Sequence, residues 1–89
     1  MEEQNNPLVD FPINFPLRVI GLDEDDFESF VIGIVRRHVP DLLEENIVSH
    51  FSKQNKYRSV SLEFIAESRE QVDALYAELG THPRILMIL

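Results

Sequence analysis

The sequence predicts an α+β domain of two layers, with elements in the order β-α-β-β-α-β. Apolar residues alternate with a period of two over residues 15–22, 47–52 and 57–66 and recur at helical spacing over 27–38 and 69–79; a short apolar run, 85–89, ends the chain. At 89 residues and 44% hydrophobic the chain suffices for one core, although a domain of this size buries only about 60–65% of its unfolded surface.

Residues 1–14 are polar at the start and contain Pro7 and Pro12, which forbid a helix. The first six are expected to be disordered, as exposed polar termini generally are. Leu8, Val9, Phe11 and Ile13 are too apolar for a free tail and are expected to lie extended against the domain proper, residues 15–89. In the first strand, 15–22, Phe15, Leu17 and Val19 share one face while Arg18, Ile20 and Leu22 share the other. Gly21 marks its exit. Asp23, Glu24, Asp25 and Asp26 suit an N-cap and the positive end of a helix dipole. The helix they open should run to about His38 and stop before Pro40, with Phe27, Phe30, Val31, Ile34 and Val35 as its buried stripe. Gly33 in mid-helix costs about 1 kcal/mol relative to alanine, and close approach of the helix to a neighbour is the expected compensation.

An acidic connection, 41–45, leads to the second strand, 47–52, and a polar turn, 53–56. The third strand, 57–66, has the clearest alternation, with Val60, Leu62 and Phe64 set against Ser59, Ser61 and Glu63. Ser68-Arg69-Glu70-Gln71 reads as a capping box opening the second helix, whose apolar stripe is Val72, Leu75, Tyr76 and Leu79 and whose C′ residue is Gly80. Right-handed crossovers then give a ferredoxin-like sandwich: a four-stranded antiparallel sheet of order 4-1-3-2 with both helices on one face. The other face is left bare. The last strand, Ile85-Leu86-Met87-Ile88-Leu89, is apolar on both sides although it lies at an edge, where an uncovered apolar strand invites association. Ile20, Leu22, Leu86 and Ile88 are therefore the expected interface, with a second copy or another protein as partner.

Sixteen acidic residues against eight basic ones give a net charge of −8, which repels phosphate backbones and anionic membranes, so nucleic acid and membrane are not expected partners. Lys53, Lys56, Arg58, Arg36 and Arg37 are the only local basic cluster, and Ser59, Ser61 and Glu63 occupy strand positions where an RNA-recognition module needs stacking rings. No cysteine is present for a disulfide, thiolate metal site or cysteine nucleophile. His38, His50 and His82 are isolated, no serine sits in a nucleophile elbow, and three glycines make no phosphate loop. No catalytic residue, metal ligand or cofactor is expected. No apolar run approaches the roughly 20 residues of a membrane span, and residues 1–10 lack the features of a signal peptide, so the reading is cytoplasmic.

Asp10-Phe11-Pro12, Arg18-Val19-Ile20-Gly21, Val35-Arg36-Arg37-His38, Lys56-Tyr57-Arg58-Ser59-Val60-Ser61 and the run from Gln71-Val72 through Leu75-Tyr76 to Glu78-Leu79-Gly80 resemble the YbeD-like family of small uncharacterised bacterial proteins, and the similarity extends over residues 8–89. The resemblance implies a ferredoxin-like domain similar in shape to ACT-type regulatory domains, which bind amino acids and other small molecules at subunit interfaces. It points to Gly21, Asp23, Asp25 and Asp26 as ligand-binding residues, the glycine letting a ligand approach the backbone. Four acids in that turn depart from the usual pattern: they repel the carboxylate of an amino-acid ligand and disfavour an amine-bearing ligand less. The function expected is that of a non-enzymatic regulatory or interaction domain, with an RNA-binding module or an enzyme of unknown chemistry as alternatives.

Overall fold

The computed structural model describes residues 11–24, 26–51 and 56–89. The start of the N-terminal tail, Asp25 and the turn residues Ser52, Lys53, Gln54 and Asn55 fall outside them. Four strands, β1 (Ile13–Leu22), β2 (Ile47–Phe51), β3 (Tyr57–Ala66) and β4 (Ile85–Ile88), alternate with two helices, α1 (Phe27–His38) and α2 (Arg69–Leu79). All strand pairs are antiparallel and the order is β2-β3-β1-β4. The predicted topology is the observed one.

One face of the sheet carries the core. Leu17 and Val19 of β1 and Val60, Leu62, Phe64 and Ala66 of β3 are buried against Phe27, Val31, Ile34 and Val35 of α1 and Val72, Leu75 and Leu79 of α2. The period-two and helical stripes read from the sequence meet there because each is the only continuous apolar face of its element. β1 begins two residues earlier than expected, at Ile13, which pairs with Ala66. Phe11 and Ile13 pack against the same core, on the helix side of the sheet. These two residues therefore do not cover the bare face. Pro16 is tolerated inside β1 because the N–H groups of its parity point toward β4: Arg18 exchanges hydrogen bonds of 3.1 and 2.8 Å with Leu89, and Pro16 lies beyond that pair.

Both helix starts refine the expectation. Asp26 is the residue before α1, but its side chain makes no capping bond. Ser68 caps α2, accepting from the Gln71 N–H at 3.1 Å, while Gln71 Oε1 accepts from the Glu67 N–H at 2.7 Å and Gln71 Nε2 donates to the His38 carbonyl at 2.8 Å. One glutamine thus ties the start of α2 to the end of α1. Gly80 ends α2 in right-handed geometry (φ −70°), so a left-handed C′ glycine is not what this helix uses. Gly33 also departs from expectation: a Cβ there would meet nothing within 4 Å, so no close approach compensates it.

Candidate functional site

The turn after β1 is closed by its own side chains. A Cβ on Gly21 would lie 2.4 Å from Phe27 Cε1 and 2.5 Å from the Arg84 carbonyl oxygen. The room that a side chain would need beside this glycine is filled by a fully buried phenylalanine and a backbone carbonyl. The acids of the turn are also engaged. Arg58, on the helix side of β3, donates from Nε to Asp23 at 3.1 Å and from Nη1 to Glu28 and to Ser49 Oγ, each at 3.2 Å, with its guanidinium 4.1 Å above the Phe51 ring. Arg84 donates to Asp26 at 2.9 Å, lies 3.1 Å from Glu24 without hydrogen-bond alignment at Nε, and stacks 4.5 Å from Phe30. The hydrogen bond from Arg84 holds the Asp26 carboxyl below its ordinary range. Two arginines brought from 35 and 58 residues away thus offset part of the negative charge of the turn. Asp25 lies outside the described residues, so the predicted set Gly21, Asp23, Asp25 and Asp26 is seen only in part.

The expected basic cluster disperses in the same way. Arg58 is bound as described, Arg36 donates to the Leu42 carbonyl at 3.2 Å, and Arg37 pairs with Glu78. His38 Nε2 lies 2.7 Å from the other Glu78 oxygen. Arg37 chiefly, with His38 adding, lowers the Glu78 pKa to about 2. His82 meets the Phe30 ring edge-on at 5.0 Å. These contacts join α1 to α2 and to the following turn. Among the described residues no group of three or more metal-ligating side chains gathers.

What remains open is the sheet face away from the helices. Its rows follow from the register. Leu89, Arg18, Ser61 and Val48 lie side by side across the four strands, and Met87, Ile20, Ser59 and His50 form the next row. Val48, Ile65 and Met87 are each about half exposed, Leu89 slightly more, Leu22 and Tyr57 somewhat less, and Ile20 is half-buried. Serines between larger neighbours leave a trough of about 530 Å³ over Ser61, walled by Pro16, Arg18, Val48, Glu63 and Leu89 and rimmed by Glu45.

The structure places Ile20 and Leu22 on this face, as expected, but moves the last strand. A register shift between Ile20 and Gly21 sets Met87 opposite Ile20 and Ile88 opposite Val19. Ile88 therefore packs on the core and not on the open face, while Leu86, beside the irregularity, is about half exposed. Ile65 lies on this face, where the alternation of β3 puts it. Val48, Met87 and Leu89 are additions to the expected face: alternation with core residues was a usable signal for Val48, whereas the shift that moves Met87 and Leu89 leaves no trace in an all-apolar strand.

Residues 6–89 match the family described as Protein of unknown function (DUF493). A UPF0250 protein of Chromobacterium violaceum is 34% identical over 89 residues, covering 100% of both chains, and one from a Janthinobacterium species is 37% identical over 82 residues, covering 92% of this chain and 90% of the relative. Among solved structures, protein HP0495 from H. pylori superposes with a TM-score of 0.70 at 13% identity, covering 100% of this chain and 93% of that one. The ACT domain from GTP pyrophosphokinase of Chlorobium tepidum gives 0.64 at 15% identity, covering 85% and 84%. The two structural likenesses establish an ACT-like, ferredoxin-like fold, and the sequence matches place the chain in the DUF493/UPF0250 family of small bacterial proteins, the YbeD-like proteins.

Proposed function

We propose that this domain is a non-enzymatic regulatory module that works by protein contact through the open face of its sheet. The observation that carries the reading is the set of partly exposed apolar side chains, Leu22, Val48, Ile65, Met87 and Leu89, spread over all four strands of one face. Apolar patches of that extent on a small domain mark interaction surfaces. The trough over Ser61 has room for a small molecule at such a contact, and the arginine-filled turn after β1 does not compete with it. The RNA reading is disfavoured because Ser59, Ser61 and Glu63 hold the centre of the face, where bases would need aromatic platforms.

Immobilised wild type, Val48→Lys, Ile65→Lys and the helix-side control Arg69→Glu, each exposed to a bacterial lysate, test the reading. Proteins retained by wild type and control but lost with both face variants are expected. Identical retention by all four overturns it. Single-stranded RNA is expected to form no saturable complex below about 100 μM at physiological salt.

A further inference from the structure

Two charges interrupt the open face, and among the described residues neither makes an ion pair: Arg18 of β1 and Glu63 of β3. Arg18 is opposite Ser61 and Glu63 is opposite Pro16, so Glu63 stands one strand over and two residues along from Arg18. With strands about 4.8 Å apart and about 3.3 Å of rise per residue, the two Cα atoms are roughly 8 Å apart along a diagonal of the sheet. Glu45, from the segment before β2, rims the trough at the edge of the same face, and many of the other acids belong to the helix layer. Asp23, Glu24, Asp26 and Glu28 surround the start of α1 beside their arginines, and Glu70, Asp73 and Glu78 belong to α2.

We propose that the occupant of this face is a second copy of the same chain, stacked sheet to sheet about a two-fold axis that sets each Arg18 against the partner subunit's glutamate at position 63. The inference rests on the open face being the working surface and names its partner. A two-fold axis lying between the sheets, perpendicular to the Arg18–Glu63 diagonal at its midpoint, exchanges the two positions. It crosses the strands of the two copies at roughly 70°, near the orthogonal class of sheet packing. Stacked sheets are about 10 Å apart, a gap that an arginine and a glutamate reaching toward each other can span. Such a stack also turns the acidic helix layers outward, away from each other, which lets a chain of net charge −8 self-associate.

The size of the face sets the strength. Four strands and about 23 Å of strand length give roughly 440 Å² of flat area per copy, so even with corrugation the total stays near or below the lower end of the 1,200–2,000 Å² typical of stable interfaces. The dimer is accordingly weak, with dissociation in the micromolar range. The apolar residues supply the attraction, and the reciprocal ion pairs fix the crossing angle more than they add affinity.

Sedimentation equilibrium of wild type, Arg18→Glu, Glu63→Arg and the double charge swap, from 10 μM to 1 mM, tests this, with circular dichroism to establish that each variant is folded. Each single reversal is expected to weaken dimerisation at least about tenfold and the swap to return it to within about threefold of wild type. Glu63→Arg is the sharpest arm, because it removes two units of net negative charge: general repulsion predicts tighter association, pairing predicts weaker. A double swap no better than the single reversals overturns the inference. So does a wild type monomeric at 1 mM; if lysate proteins are then still lost with Val48→Lys, only the second-copy inference has failed, and if nothing depends on the face, the regulatory-contact reading has failed with it.

Discussion

Two glycines of this chain should respond to alanine with opposite signs. At Gly21 the added methyl group would sit 2.4 Å from Phe27 Cε1, 2.6 Å from Phe27 Cζ and 2.5 Å from the Arg84 carbonyl oxygen. The ring cannot swing out into solvent without cost, since Phe27 is fully buried in the core cluster. The carbonyl immediately precedes Ile85, the residue paired with Gly21, so moving it disturbs the β1–β4 ladder. Overpacking a core generally costs 1–3 kcal/mol, and two obstacles, one of them backbone, place Gly21→Ala at about 3 kcal/mol. At Gly33 nothing lies within 4 Å, so Gly33→Ala only removes the glycine penalty and should stabilise by about 1 kcal/mol. For a domain of this size a change of 1 kcal/mol moves the melting temperature by about 4–8 °C. Urea unfolding of wild type and both variants, with slopes compared to exclude a change of denatured state, reads the signs directly. A Gly21→Ala protein as stable as wild type would refute the packing of Phe27 against the end of β1, and a destabilised Gly33→Ala would refute the exposed placement of that helix face.

Phe64→Ala should cost about 3–5 kcal/mol while Ile65→Ala, on the open face, should cost under about 1, and the reverse order in chemical denaturation would mean that β3 is shifted by one residue. Ser68→Ala should cost about 1 kcal/mol through the lost α2 cap, read as a lower unfolding midpoint. The Glu78 carboxyl, lowered from its ordinary 4.5 to about 2 by Arg37 and then His38, stabilises the fold at pH values above 4.5 and loses that contribution as the pH falls toward 2; Glu78→Gln should flatten this part of the acid limb in a series of urea midpoints between pH 7 and pH 2.5.

The sequence by itself determined the elements and their inner faces. Val60, Leu62 and Phe64 had to share one face, the stripe from Phe27 to Val35 marked the buried side of a helix, and Ser68 with Gln71 announced a helix start, because each of these signals is written within a few residues. Topology followed from chain connectivity and the handedness of crossovers. The tertiary structure decided whatever depends on distant partners. Gly21 and Gly33 look alike in sequence, yet only Gly21 has Phe27 and Arg84 pressed against it. The acids after β1 looked available until Arg58 and Arg84 arrived from β3 and the turn before β4. Likewise Ile88 and Met87 exchanged faces through a register shift that an uninterrupted apolar strand does not encode. Periodicity records which side of an element is buried, but ion pairing and register are fixed by shape and charge that meet only when the chain has folded.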